Sequence, residues 1–240
     1  MKAKSRVVLA RLPLLGGALC LDLVNTVDPR HQPPRLEYLH SYDALLDWAV
    51  YAGALTPPQA QRLADLGGRQ PAKAARVHAR AIRLREALYQ LFAPATRAQH
   101  PKVSLAVLNT EFQHAMTAAT LEPTPDGYHL DWAHGDQLDR MLWPVVRSAA
   151  ELLSSPALER VGECHGQGCG WLFVDTSKAG RRRWCRMASC GNRAKSRRHN
   201  QRARKPLADS APRDRDTSDP GVGPRLNPSS GSRLPDREAP

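Results

Sequence analysis

Apolar residues recur at helical spacing over most of the first 155 positions. Between Ser41 and Gly53, Leu45, Leu46, Ala49 and Val50 share one face, with Ser41 placed as an N-cap. Thr56-Pro57 reads as an N-cap followed by proline in the first turn. It opens a short helix to about Leu66, which Gly67-Gly68 stops. The strongest stripe runs from Lys73 to Phe92: Ala74, Val77, Ala81, Leu84, Leu88 and Leu91 recur at helical spacing, and Ile82 and Phe92 widen the face. Val103 to Ala119 predicts a further helix with Leu105, Leu108, Phe112, Ala115 and Met116 inward. Gln137 to Leu153 predicts another, bent at Pro144. Alternation from Tyr128 to Trp132, after the turn signal Pro125-Asp126-Gly127, predicts one short strand.

One segment breaks the amphipathic rule. From Gly16 to Val27, Asp22, Asn25 and Thr26 sit among apolar neighbours. As a helix, Leu19, Leu23 and Val27 make one face and the three polar residues another. Buried polar groups need partners, which neighbouring backbone would supply. The functional alternative is that Asp22, Asn25 and Thr26 line a small-molecule effector pocket.

After residue 160 the pattern changes. Trp171 to Asp175 predicts a strand, Thr176 to Gly180 a turn and Arg181 to Trp184 a return strand. From Gly191 to Lys205 apolar residues almost vanish, and a short basic helix is expected. From Pro206 to Pro240, seven of 35 residues are proline, seven are apolar and none is aromatic. Such a segment cannot bury enough surface to offset its ordering entropy, which predicts a disordered tail. The expected organisation is therefore a mainly α protein: a helical domain with little strand over 1–158, a small finger of β-hairpin plus helix over 159–205, and the tail over 206–240.

Charge sharpens this division. The chain has 240 residues and a net charge of +12. Between Thr176 and Ala208 there are twelve Lys or Arg and no Asp or Glu, so one stretch accounts for the whole excess. A solubilising face normally mixes signs; this concentration points to a polyanionic partner.

The N-terminus superficially resembles a signal peptide, with Lys2, Lys4 and Arg6 before the apolar run Val7 to Cys20. Arg11 interrupts that run, and Leu19 stands where cleavage before Cys20 would need a small residue. No apolar stretch approaches membrane-spanning length. A cytoplasmic, nucleoid-associated protein without membrane contact is expected.

Four of the five cysteines cluster. Cys164 and Cys169 are separated by four residues, as are Cys185 and Cys190, and fifteen residues lie between the pairs. Without an export signal, this clustering favours metal over disulfides. Two loops giving two thiolates each suit one tetrahedral zinc ion, and a closed shell of four cysteines is structural rather than catalytic. The alternatives are free or disulfide-bonded thiols, an iron–sulfur cluster, or His165 or His199 in place of a cysteine.

No catalytic constellation is legible elsewhere. There is no Gly-rich phosphate loop and no Gly-x-Ser-x-Gly. His78, His100, His114, His129 and His134 lack ligand spacing, and Trp48, Trp132 and Trp143 read as packing. The chain is not expected to be an enzyme.

The run Cys190-Gly191-Asn192-Arg193, preceded by Gly168-Cys169-Gly170-Trp171-Leu172-Phe173 and Arg182-Arg183-Trp184-Cys185, closely resembles the CGNR zinc-finger family. Leu19 to Val27, Leu84-Arg85-Glu86-Ala87-Leu88-Tyr89 and Leu108-Asn109 are similar to the ABATE domain that accompanies that finger in bacterial proteins. The resemblance covers about residues 10–205. It implies a stress-related transcription regulator with Cys164, Cys169, Cys185 and Cys190 as zinc ligands, DNA binding by the finger, and a ligand or partner role for the N-terminal domain.

The candidate nucleic-acid contacts are Arg181, Arg182, Arg183, Arg186, Asn192, Arg193, Lys195, Arg197, Arg198, Arg202 and Arg204. Most would touch phosphate, while some Arg or Asn192 could read base edges. One finger reads a short site, so a homodimer is expected. A basic zinc module suits RNA as well, which leaves an RNA-binding or ribosome-associated protein as the alternative.

Overall fold

The computed structural model describes residues 12–132 and 136–203. The N-terminal bases Lys2, Lys4 and Arg6, His134, Arg204 and the expected tail lie outside the described residues, as does the side chain of Arg202.

The protein is mainly helical. Helices α1 (Leu19–Val24), α2 (Tyr42–Tyr51), α3 (Pro57–Arg69), α4 (Pro71–Phe92), α5 (Lys102–Thr117) and α6 (Trp143–Leu153) build the N-terminal part. Short strands β1 (Val27–Asp28) and β2 (Leu36–Glu37) pair after α1, and β3 (Thr120–Thr124) pairs with β4 (Gly127–Asp131). Strands β5 (Val161–Glu163) and β6 (Leu172–Val174) form an antiparallel hairpin, and α7 (Asn192–Ala203) ends the described chain.

Several local signals act as read. Ser41 accepts a hydrogen bond from the Ala44 amide and caps α2. Thr56 and Gln59 form a reciprocal capping box at the start of α3. Two glycine and proline readings need correction. Gly67-Gly68 does not stop α3, which runs to Arg69. Gly67 sits under Tyr42, where a β-carbon would come within 2.8 Å of the ring, so this glycine serves close packing rather than termination. Pro144 does not bend a helix; it lies in the first turn of α6, where a missing N–H costs nothing. A 3-10 turn, Arg140–Leu142, precedes it.

On α5, Leu108 and Ala115 face inward as expected, whereas Leu105 is exposed. The third buried position is Glu111, whose carboxylate accepts from Arg80 at 2.6 and 3.0 Å. The strand at Tyr128 is present, and its partner Thr120–Thr124 carries no strand signal of its own, because threonine, proline and glutamate do not alternate.

Helix α1 is the pivot. It packs on α4, α6 and strand β6. The apolar core runs without a break from Leu12 through Trp48, Phe92 and Trp143 to Leu172, Phe173 and the four clustered cysteines. The finger is thus built onto the helices. No helix among the described residues is long and apolar enough to cross a membrane.

Candidate metal centre and nucleic-acid interface

The β5–β6 hairpin carries the first two cysteines in its loop. Pairing of Glu163 with Leu172 is extended by Cys164, whose amide donates to the Trp171 carbonyl at 2.8 Å. The loop then turns on Gly168, at φ +72°, a left-handed conformation that only glycine adopts readily. Of the second pair, Cys185 precedes and Cys190 lies within a π-helical turn, Met187–Gly191, that leads directly into α7. Between the pairs, the sequence pattern predicts a return strand at Arg181 to Trp184. These residues form no strand: β6 pairs with the preceding β5, not with a following strand.

Arg182 explains how the unpaired return segment is held. Its guanidinium lies over the Phe173 ring, 4.1 Å from the centroid. It donates to the carbonyls of Trp184, Val174, Leu15 and Cys185 at 3.1, 3.3, 3.4 and 2.6 Å. The Arg182 amide donates to Asp175 Oδ2 at 2.8 Å and the His165 amide to the Arg183 carbonyl at 3.0 Å, so side chains do most of what a backbone ladder would do.

The sulfurs of Cys164, Cys169, Cys185 and Cys190 all lie within 4.8 Å of one another, and all four residues are buried. Two of the edges measure 3.8 Å (Cys169–Cys185) and 3.6 Å (Cys185–Cys190). A tetrahedron with Zn–S bonds of about 2.3 Å has S···S edges of about 3.8 Å, so the set fits one zinc ion. The surroundings fit it too. The Gly166 amide donates to Cys164 Sγ at 3.4 Å and Arg193 donates to Cys190 Sγ at 3.2 Å, both favouring thiolate. A β-carbon on Gly166 would stand 2.8 Å from Cys190 Sγ, so the loop needs a bare α-carbon to close around the cluster. Hydrogen bonds from Cys169 and Cys185 push the Cys164 thiol down, while those with Cys164 and Cys185 raise Cys169. Four adjacent thiolates cannot coexist without a cation to offset their charge, which is what a divalent ion supplies.

His165 stacks edge-on against Trp184 and is not part of the sulfur cluster. Cys20 stands apart, wholly buried, with burial pushing its thiol up to about 12. It is a packing residue.

The three polar residues near α1 have other employment than the expected pocket. Asn25 is 1% exposed, and its side chain donates to the Leu172 carbonyl and accepts from the Leu172 amide, each at 2.9 Å. Thr26 is wholly buried; it donates to Leu23 O at 2.7 Å and accepts from Arg85 at 3.3 Å. Asp22 is half-buried and accepts from the Gly16 amide at 2.8 Å; burial pushes its carboxyl up to about 6. A separate cleft of about 860 Å3 opens between α2, α3 and α4, walled by Leu46, Ala60, Ala64 and Ala74 and rimmed by Asp43 and Asp65.

The segment after α1 lies along the first zinc loop. The Arg30 and His31 amides donate to the Cys169 and Gly168 carbonyls, both at 2.9 Å, and Trp171 Nε1 donates to Val27 O at 3.0 Å. Behind it is a polar cluster that helical periodicity alone does not reveal. Arg30 pairs with Glu86 at 2.7 Å and lies 4.3 Å over the Tyr89 ring. Arg85 pairs with Glu86 and Glu37 at 2.8 and 2.7 Å. His31 and Tyr89 both meet Glu163, the residue before Cys164. Burial alone would raise the Glu86 carboxyl, but the charges of Arg30 and Arg85 hold it below its ordinary value.

The expected nucleic-acid contacts divide. Arg182 is committed to the protein, as described. Arg181, Arg183, Arg186, Asn192, Arg193, Lys195 and Arg198 are exposed and Arg197 half-buried. Arg183 lies over the Trp184 ring, and Asn192 reaches back to the Ala188 carbonyl at 3.4 Å. Among the described residues, no base from Arg181 to Arg198 is in a salt bridge with a carboxylate.

Comparison with known families gives two matches. The ABATE family model, described as "Putative stress-induced transcription regulator", matches residues 17–156. The CGNR zinc-finger model matches residues 160–203. No curated protein matches the chain.

Proposed function

This chain belongs to the ABATE family and carries a CGNR zinc finger, and on that footing we propose that it is a zinc-dependent transcription regulator that binds duplex DNA. The observation that carries the reading is the unpaired charge around the metal centre. Among the described residues no base from Arg181 to Arg198 forms a salt bridge, Asp28 acting on Arg193 only through its charge, whereas Arg30, Arg80, Arg85 and Arg147 elsewhere are each paired with a carboxylate. Zinc holds the loop and the start of α7 in place, and these present Arg183, Arg186, Arg193, Lys195 and Arg198 to the phosphate backbone. Arg202 and Arg204 continue the basic run in sequence. The closed thiolate shell supplies structure and no chemistry on a substrate.

The N-terminal helices serve as a sensing or dimerising unit. Their cleft between α2, α3 and α4 is the place for an effector, and the contacts from Asn25 to His31 would pass its state to the finger. A homodimer would double the short site read by one finger. The setting is the cytoplasm, at the nucleoid.

The test is competitive binding of zinc-loaded protein to random duplex DNA and random single-stranded RNA at about 0.15 M salt. Enriched duplex sites support the reading; preferential recovery of RNA overturns it. With about six phosphates neutralised, log affinity should fall against log salt with a slope near −5.

A further inference from the structure

A notch of about 240 Å3 lies where the first zinc loop meets the start of α7, lined by Gln32, Gly166, Gln167, Cys190, Arg193 and Arg197. Arg193 and Arg197 are one turn apart on α7 and so share a face. Arg193 spends one N–H on Cys190 Sγ and keeps the others. Arg197, Gln32 and Gln167 have no hydrogen bond or ion pair among the described residues. No carboxylate lines the notch; Asp28 acts on Arg193 through its charge but is not in the wall.

Gln32 comes from the other part of the chain, and its place there is built. The neighbouring His31 amide is hydrogen-bonded to the Gly168 carbonyl. A β-carbon on Gly168 would lie 2.7 Å from both Cβ and Oε1 of Gln32, so the bare α-carbon lets this side chain rest against the loop. Two guanidinium groups and two unpaired amides thus converge on one small polar space. At about 30 Å3 per water, it holds a phosphodiester group with a few waters. Guanidinium groups match phosphate oxygens with paired N–H donors, and amide N–H groups add neutral ones.

We infer that this notch seats one backbone phosphate of duplex DNA, gripped by Arg193 and Arg197 and completed by Gln32 and Gln167, so that the ABATE part of the chain contributes directly to the DNA site. The inference rests on the DNA-binding reading above. It makes the finger alone an incomplete DNA-binding unit. It also gives the N-terminal helices a direct lever: any change that shifts the segment around Gln32 alters the phosphate site itself.

The test uses the full zinc-loaded chain and the fluorescence anisotropy of a labelled random duplex. Gln32→Glu, which puts a carboxylate against the phosphate, should weaken binding at least tenfold. Arg197→Ala should weaken it about fivefold and lower the salt slope by about 1. Arg69→Ala, at the exposed end of α3, removes the same charge and should stay within twofold. Unchanged zinc content and melting temperature in Gln32→Glu would show that the site, and not the fold, is affected; were that variant unstable, Arg197→Ala still decides. The inference is overturned if the parent binds duplex DNA with a clear salt dependence while Gln32→Glu and Arg197→Ala bind within twofold of it. A parent that binds no duplex DNA, or prefers RNA, overturns the DNA reading itself, and the inference with it.

Discussion

The side-chain amide of Asn25 meets the backbone of Leu172 twice, donating to its carbonyl and accepting from its N–H, both at 2.9 Å and wholly out of water. A single side chain thus acts as the neighbouring strand for β6. It joins the end of α1 to the hairpin that carries Cys164 and Cys169. Losing one partner of a buried pair leaves the other unsatisfied, at about 1–3 kcal/mol per group.

Asn25→Ala should therefore destabilise the protein by about 2–4 kcal/mol. The effect should reach both parts of the chain, because the core is continuous across them. Urea unfolding followed by tryptophan fluorescence would read it, since Trp171 reports on the finger and Trp48 and Trp143 on the helices. A change below about 0.5 kcal/mol would show that β6 finds its partners elsewhere.

Zinc removal is expected to act in the same two places. The turn from Met187 to Gly191 and the start of α7 have little apolar surface of their own, and metal binding free energy becomes folding free energy. A chelator should melt α7, lowering the helical circular dichroism signal, and should also lower the melting temperature of the helical part. Zinc affinity should fall as pH drops, because protons compete with the ion for the thiolates. Metal analysis should give one zinc per chain, lost in Cys185→Ser and kept in Cys20→Ala. Retention of zinc by Cys185→Ser would disprove the ligand set.

The helices and the cysteine cluster were legible in the sequence because both are written locally. The stripe from Ala74 to Leu91 and the cap at Ser41 need only neighbours along the chain, and two pairs of thiols at equal spacing need only one ion. What escaped was long-range. Asn25 could be marked as a polar residue needing a partner, but not that the partner stood at Leu172. The strand partner of β6 was placed after it instead of before it, since nothing local shows that Arg182 would hold the following segment by its side chain. Gln32 carried no signal at all; an exposed glutamine between histidine and proline gains meaning only from the loop it lies against.

Arg182 and Arg198 stand in the same basic run and should behave oppositely. Arg182 is bonded to four backbone carbonyls and stacked on Phe173, so Arg182→Ala should cost about 2–4 kcal/mol of stability. Arg198 is exposed on α7, and Arg198→Ala should leave stability within about 0.5 kcal/mol while reducing the salt slope of DNA binding by about 1. Melting curves and anisotropy titrations on the two variants would separate them. Equal loss of stability in both would remove the distinction between structural and contacting arginines.

Asp22 gives a pH dependence with a definite sign. Burial raises its carboxyl from the ordinary 3.8 to about 6, with the hydrogen bond from Gly16 only partly opposing this. Between those two values the folded protein holds a proton that the unfolded chain has released, so stability falls as pH rises through this window. Above it the full penalty is present, at most about 3 kcal/mol at roughly 1.4 kcal/mol per pKa unit. Asp22→Asn keeps an acceptor for the Gly16 amide and cannot ionise. At about pH 7.5 it should be more stable than the parent by about 1–2 kcal/mol, and near pH 4 the two should converge. Comparing variant with parent at each pH cancels the loss of zinc common to both. A variant less stable than the parent above the window would mean that the charged carboxylate is satisfied in the fold, and that its burial is not a cost.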